Sequence, residues 1–140
     1  MGFLYSDEVG DIKGNQAFWD QNLALRWTKD NIPAFGGDLN QVTLIGESAG
    51  ARSVISHILS PESRGLFTNA IIQSSPILDR TFIATPQKHE ARILSGIRKA
   101  GCAGENDKTI SKKVVECLEK LDPVKADRVF HLADKDAFGM

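Results

Sequence analysis

The chain is 140 residues long, with 41% apolar, 25% charged and 7% aromatic residues, and a net charge of −1 from 17 Lys+Arg against 18 Asp+Glu. These values suit one globular domain or part of one and exclude wholesale disorder. The charge balance gives no case for nucleic acid or a membrane surface, and no apolar run reaches the roughly 18–20 residues of a membrane span.

The N-terminal run Met1–Asp7 lacks a basic stretch followed by a long apolar one, so it does not read as a signal peptide. In chain order, the first clear element is a helix over residues 15–32. Phe18, Leu25 and Ile32 fall on one line and Trp19, Leu23 and Trp27 on another. Together the lines span roughly 220°, which predicts packing on more than one side. Asn15 is its expected cap, and Ile32-Pro33 ends it. Ala34–Asp38 reads as a turn.

Val42–Ile45 is a short β-branched run that predicts a buried strand. After Gly46–Gly50, the spacing of Val54, Ile55, Ile58 and Leu59 predicts a helix from Ala51 that Ser60-Pro61 stops. Ala70–Ser74 reads as a second buried strand, so strand, helix and strand form a parallel βαβ unit. The rest is helical. Thr85-Pro86 opens one helix whose apolar face is Ala91, Ile93, Leu94 and Ile97, and Gly101 stops it. Ser111 is the expected cap of a helix carrying Val114, Val115, Leu118 and Leu121. Asp122-Pro123 opens a last one through Val124, Val129 and Leu132, and 133–140 closes nothing. The charged run Glu105–Lys108 is a solvated loop.

Gly46-Glu47-Ser48-Ala49-Gly50 fits G-x-S-x-G. The pattern alone is modest, since three fixed positions would match by chance in about one such chain in twenty. Its context is stronger, because it lies where an apolar strand ends and an apolar helix begins. That is the setting of a nucleophile elbow, in which Ser48 sits on a strained turn and Gly46 and Gly50 allow strand and helix to approach closely. The N–H of Ala49 and the positive end of the helix would then face a developing oxyanion. The alternative is an ordinary capping serine, with φ in the extended region and its hydroxyl on a backbone N–H. No Lys-Ser/Thr pair follows the glycines, which disfavours a phosphate-binding loop.

The sequence resembles the type-B carboxylesterase/cholinesterase family of the α/β-hydrolase fold. The resemblance is carried by Gly14-Asn15, Asp20–Trp27, Asn31-Ile32, Ala34–Asp38, Val42–Leu44 and Gly46–Gly50. It continues through Ser60-Pro61, Ser63–Phe67 and Ala70–Ser74. It implies an α/β chain, a partial α/β-hydrolase fold with short parallel strands, flanking helices and a helical C-terminal part, residues 1–140 being a piece of one such domain. It implies carboxylic-ester hydrolysis through an acyl-enzyme, with Ser48 as nucleophile, Ala49 as oxyanion-hole donor and Glu47 as an acidic neighbour shaping the local field. Ser74 matches a serine near the catalytic gorge, or is a polar residue at a strand end. Departures from the family pattern fall at Lys13 and Ala17, around Gly14-Asn15, and at Ser75, where the family usually has glycine.

The resemblance also implies what to look for and not find. The family's glycine-rich oxyanion loop lies upstream of the matched region, and its acid and histidine lie downstream. His57, His89 and His131 fall on expected helices as surface or packing residues rather than as the base for Ser48. The chain is therefore expected to be an internal piece of a larger enzyme, inactive alone. Alternatives are a cholinesterase-like adhesion or interaction protein, against which Ser48 argues, and a fragment without function.

Cys102 and Cys117 match a disulfide loop of cholinesterase-like members, and otherwise would be two unpaired thiols. A bridge there would imply an oxidising compartment, so a secreted, endoplasmic-reticulum or extracellular parent is expected. No metal site and no cofactor are expected, and the partner is a small carboxylic ester. Which ester is taken, and the oligomeric state, are not legible.

Overall fold

The computed structural model describes residues 2–75 and 84–129. In chain order its elements are α1 (Gln16–Asn31), β1 (Thr43–Glu47), α2 (Ala49–Leu59), β2 (Asn69–Gln73), α3 (Pro86–Lys99) and α4 (Lys112–Glu119). Single turns of 3-10 helix occupy Ile32–Phe35 and Pro61–Ser63, and a further helix, α5, covers 123–129 among the described residues. His131 and the expected helix end at Leu132 lie outside the described residues. The chain forms two compact units, one of residues 17–83 and one of residues 1–16 with 84–140. Among the described residues no helix is long and apolar enough to cross a membrane.

The first unit contains the predicted strand–helix–strand. β1 and β2 pair in parallel, from Thr43↔Asn69 to Glu47↔Gln73. α2 packs on one face of this ribbon and buries Ala51, Val54 and Ile55. The strands themselves are not buried as expected. β2 is exposed along its length, and Ile45 keeps 65% of its surface. Successive strand side chains alternate between faces. Ile45 and its register partner Ile71 thus share one face, while Leu44 and Gly46, half-buried, share the other. A parallel ribbon with a helix on one side leaves its second side to solvent.

α1 also departs from expectation. Its bounds are those predicted to within a residue, but Trp19, Leu23 and Trp27 are all more than half exposed. The buried residue of α1 is Asn22. The helix meets its unit through Asn22 beside the half-buried Phe18 and Leu25 of the other expected line, and its tryptophan line faces outward, where Trp27 and Phe35 approach with ring centroids 6.2 Å apart. Asn15 is no ordinary cap: its φ of 61° is left-handed rather than extended.

The second unit is built on α3 and α4. Ile93, Leu94, Ile97, Ile110, Val114, Leu118 and Val129 form its core with Leu4 from the N-terminal segment. That segment folds back on itself, with a bridge between Tyr5 and Lys13, and the Ser6 hydroxyl donates to the Ile110 carbonyl at 2.5 Å. Thr85 caps α3 as expected, accepting from Lys88 N–H at 3.4 Å, and Gly101 ends it at φ 80°. Ser111 precedes α4 without a side-chain cap bond. Ala91, expected inside, is exposed, and Glu90 is buried instead. Its carboxylate accepts from Ile110 N–H at 2.8 Å, so the buried oxygen is matched by a backbone donor. Arg98 donates to the carbonyls of Gly104 and Asp107 and ties the solvated loop to the end of α3.

Cys102 and Cys117, 15 positions apart in the sequence, are joined by a disulfide with Cα atoms 5.5 Å apart. A loop of this length restricts the unfolded chain by about 3 kcal/mol in the chain-entropy picture. The double variant Cys102→Ser, Cys117→Ser should therefore lose about 2–4 kcal/mol in urea unfolding followed by a probe on α3 or α4. Non-reducing peptide mapping of the parent sequence should recover the two cysteines as one linked pair.

Candidate functional site

The G-x-S-x-G run spans the end of β1 and the start of α2. Glu47 closes the strand, Ala49 opens the helix, and Ser48 alone makes the turn. Ser48 has φ 49° and ψ −111°, a conformation costing an L-residue on the order of 1–3 kcal/mol. Its hydroxyl makes no capping bond to the helix. The backbone holds the turn instead: Ser48 N–H donates to Gln73 O at 3.0 Å, and Ser48 O accepts from Arg52 N–H at 3.1 Å. Ser48, Glu47, Ala49 and Gly50 are all exposed. The first N–H groups of α2, Ala49 among them, have no partner within the helix and lie at its positive end.

The two glycines differ. A Cβ on Gly46 would lie 2.3 Å from the carbonyl carbon and oxygen of Gly50 and 2.7 Å from Ala51 N. A Cβ on Gly50 would meet nothing within 4 Å. The expected close approach is therefore made by the backbone of Gly50 over the α-carbon of Gly46, and only Gly46 is required by it. Residue 50 would project its side chain away from the strand.

β2 ends in the same way. Ser74 follows it directly with φ 56° and is exposed. Because Glu47 and Gln73 are register partners, Ser48 and Ser74 leave adjacent parallel strands at the same end. Among the described residues no group of three or more His, Cys, Asp or Glu side chains could hold a metal ion.

Behind the turn lies a polar seam between α1, α2 and the turn Pro61–Ser63. His57 is buried, with Nδ1 2.9 Å from Ser63 Oγ and Nε2 3.0 Å from Gln21 Oε1. Phe18 meets its ring edge-on at 6.3 Å. Asn22 donates to Ser63 Oγ at 3.1 Å and to Glu62 O at 3.0 Å, and accepts from Arg26 Nε at 2.7 Å. Arg26 also pairs with the Glu62 carboxylate at 3.8 Å. At the other end, Gln21 Nε2 reaches Ser53 Oγ at 3.5 Å, and Ser53 donates to Ala49 O at 3.2 Å. Burial lowers the His57 pKa below its ordinary 6.5, because the charged ring would lose water.

From sequence, His57 reads as a packing histidine, and Gln21, Asn22, Arg26, Glu62 and Ser63 carry no role beyond the resemblance. The available signal is weak: a polar pair, Gln21-Asn22, interrupts the apolar lines of α1 opposite a histidine in α2. His89 belongs to the second unit, with Nε2 2.5 Å from Phe3 O.

The profile of the carboxylesterase family matches residues 1–133. Acetylcholinesterase 4 of Caenorhabditis briggsae is 38% identical over 123 residues, covering 88% of this chain and 20% of that protein. The cholinesterase of Mus musculus is 39% identical over the same span and shares. The acetylcholinesterase of Gallus gallus is 55% identical over 74 residues, 53% of this chain and 10% of that protein. The chain spans about a fifth of the length of the first two relatives.

Two outcomes test this geometry. Gly46→Ala should destabilise the first unit by about 1–3 kcal/mol or more through overpacking, whereas Gly50→Ala should be neutral or stabilising by up to about 1 kcal/mol, both read from urea midpoints. For His57 the lowered folded pKa means that the unfolded chain binds the proton first. Its stabilising contribution is complete above about pH 6.5 and declines as pH falls through that value toward the folded pKa. Urea unfolding at about pH 7.5 and about pH 5 should show this loss, and His57→Gln should reduce the slope.

Proposed function

Because the chain belongs to the carboxylesterase family, we propose that it carries the nucleophile elbow of a serine carboxylic-ester hydrolase, as part of one α/β-hydrolase domain. The observation that supports this most is the conformation of Ser48: φ 49°, no capping bond, exposed between β1 and α2. An ordinary capping serine has extended backbone and spends its hydroxyl on a helix N–H. Here strain is kept at one residue while the hydroxyl is left for chemistry.

In this mechanism Ser48 Oγ attacks the ester carbonyl carbon. A histidine outside the chain takes the hydroxyl proton and passes it to the leaving alcohol, and the tetrahedral oxyanion is held in part by Ala49 N–H at the positive end of α2. The acyl group remains on Ser48. Water then adds to its carbonyl carbon, giving its proton to the same histidine, and the carboxylic acid leaves as Ser48 recovers its hydrogen. Glu47 places a negative charge beside the nucleophile, and Ser74, leaving the neighbouring strand, lines the same end of the sheet. The cysteine bridge supports an oxidising compartment for the protein.

His57 does not serve as the base, since Ser63 and Gln21 engage both its ring nitrogens. The 140-residue chain alone should therefore hydrolyse p-nitrophenyl acetate no faster than its Ser48→Ala variant. A Ser48-dependent burst in the isolated chain would assign the base locally. In a protein that supplies the rest of the domain, Ser48→Ala should lower kcat by about 10⁴–10⁶-fold, with the fold retained by circular dichroism. Undiminished turnover there would overturn the assignment of Ser48.

A further inference from the structure

The hydrogen bonds behind the turn run in one direction. Arg26 can only donate, so the Asn22 carbonyl oxygen faces its Nε at 2.7 Å and the Asn22 amide nitrogen faces Ser63 Oγ at 3.1 Å. At the far end, Ser53 gives its proton to Ala49 O at 3.2 Å, so toward Gln21 it can only accept. Gln21 must then turn its amide nitrogen to Ser53, at 3.5 Å, and its carbonyl oxygen to His57 Nε2, at 3.0 Å. An oxygen there requires a hydrogen on Nε2. In the neutral ring Nδ1 is then an acceptor, and it receives the Ser63 hydroxyl proton across 2.9 Å. Both ends of the seam thus agree on one ring state.

We infer that His57 is a positioning residue for the turn at Ser48, held as the neutral Nε2–H tautomer in a directed chain from Arg26 through Asn22, Ser63, His57, Gln21 and Ser53 to the carbonyl of Ala49. The chain fastens two successive turns of α2 to one side chain of α1. Gln21 meets Ser53 one turn into α2 and His57 one turn further on, which fixes the rotation of α2 about its axis. That rotation decides where Ala49 N–H points. Such a network is effective only when every member is satisfied, and a fault at one member propagates along it. The catalytic meaning of this positioning rests on the assignment of Ser48 and Ala49 above. The hydrogen-bond chain does not.

The test is long-range nitrogen–proton NMR on the ¹⁵N-labelled chain near pH ~7.5, where the ring is neutral. His57 should show a protonated Nε2 and a bare Nδ1. A protonated Nδ1, or rapid exchange between tautomers, overturns the inference without any variant having to fold. Gln21 is exposed, so Gln21→Glu is a mild second probe. Its carboxylate still accepts from His57 but cannot donate to Ser53. The amides of 48–53 should then shift and exchange with solvent about 10-fold faster, while those of β2 stay unchanged. Unmoved amides at 48–53 would overturn the positioning role. Neither readout uses esterase activity. If the tautomer and the shifts are found but Ser48→Ala leaves turnover intact in the complete domain, only the proposed function falls. The opposite pattern removes this inference alone.

Discussion

The first unit depends on one close approach. The backbone of Gly50 sits 2.3 Å from where a side chain on Gly46 would begin, so β1 and α2 meet with nothing between them. That contact brings the chain from strand to helix within the single residue Ser48 and forces its left-handed φ of 49°. The strain is held because the surroundings over-determine it: Ser48 N–H donates to Gln73 O, Arg52 N–H donates to Ser48 O, and α2 buries Ala51, Val54 and Ile55 against the ribbon. The parallel register carries the same end of β2 alongside, so that Ser74 leaves its strand next to Ser48.

Within this unit the packing is unequally shared. α2 is held by apolar burial, whereas α1 is held by Gln21 on the buried His57, by Asn22 on the buried Ser63 and by Arg26 on Glu62. Hydrogen bonds of this kind contribute about 0.5–1.5 kcal/mol each when satisfied and cost more when one partner is lost. They fix geometry in a way that a greasy contact does not, because a donor must find an acceptor at a set distance and angle. The exposed line of Trp19, Leu23 and Trp27 is the counterpart of that choice, since a helix that turns its Asn22 side inward must turn its tryptophans out.

The second unit follows a different rule. Its core is a continuous aliphatic cluster from α3, α4, α5 and Leu4, closed by the Cys102–Cys117 bridge. The polar groups inside it, Ser6 and Glu90, both serve the backbone of Ile110, one taking its N–H and the other reaching its carbonyl. A fully buried residue between two helices, outside regular structure, needs such partners for its peptide groups.

Features under local control could be read directly along the chain. The G-x-S-x-G turn between strand and helix, the Thr85 cap, the stop at Gly101 and the faces of α3 and α4 were legible, because periodicity and turn residues act over a few positions. The family, and through it the fold class and the cysteine pairing, was legible from motif order. Tertiary structure alone decided which side of α1 faces inward, that Glu90 rather than Ala91 is buried, that the N-terminal segment joins α3 and α4, and that Gly46 but not Gly50 is sterically required. It also decided the state of His57, whose partners lie 36 residues before it and 6 after it in the chain. Hydrophobic patterning says that a side chain will seek cover, but not which distant donor or acceptor will be waiting there. That pairing exists only once the elements have packed, and it is what gives the region behind Ser48 its defined hydrogen-bond direction.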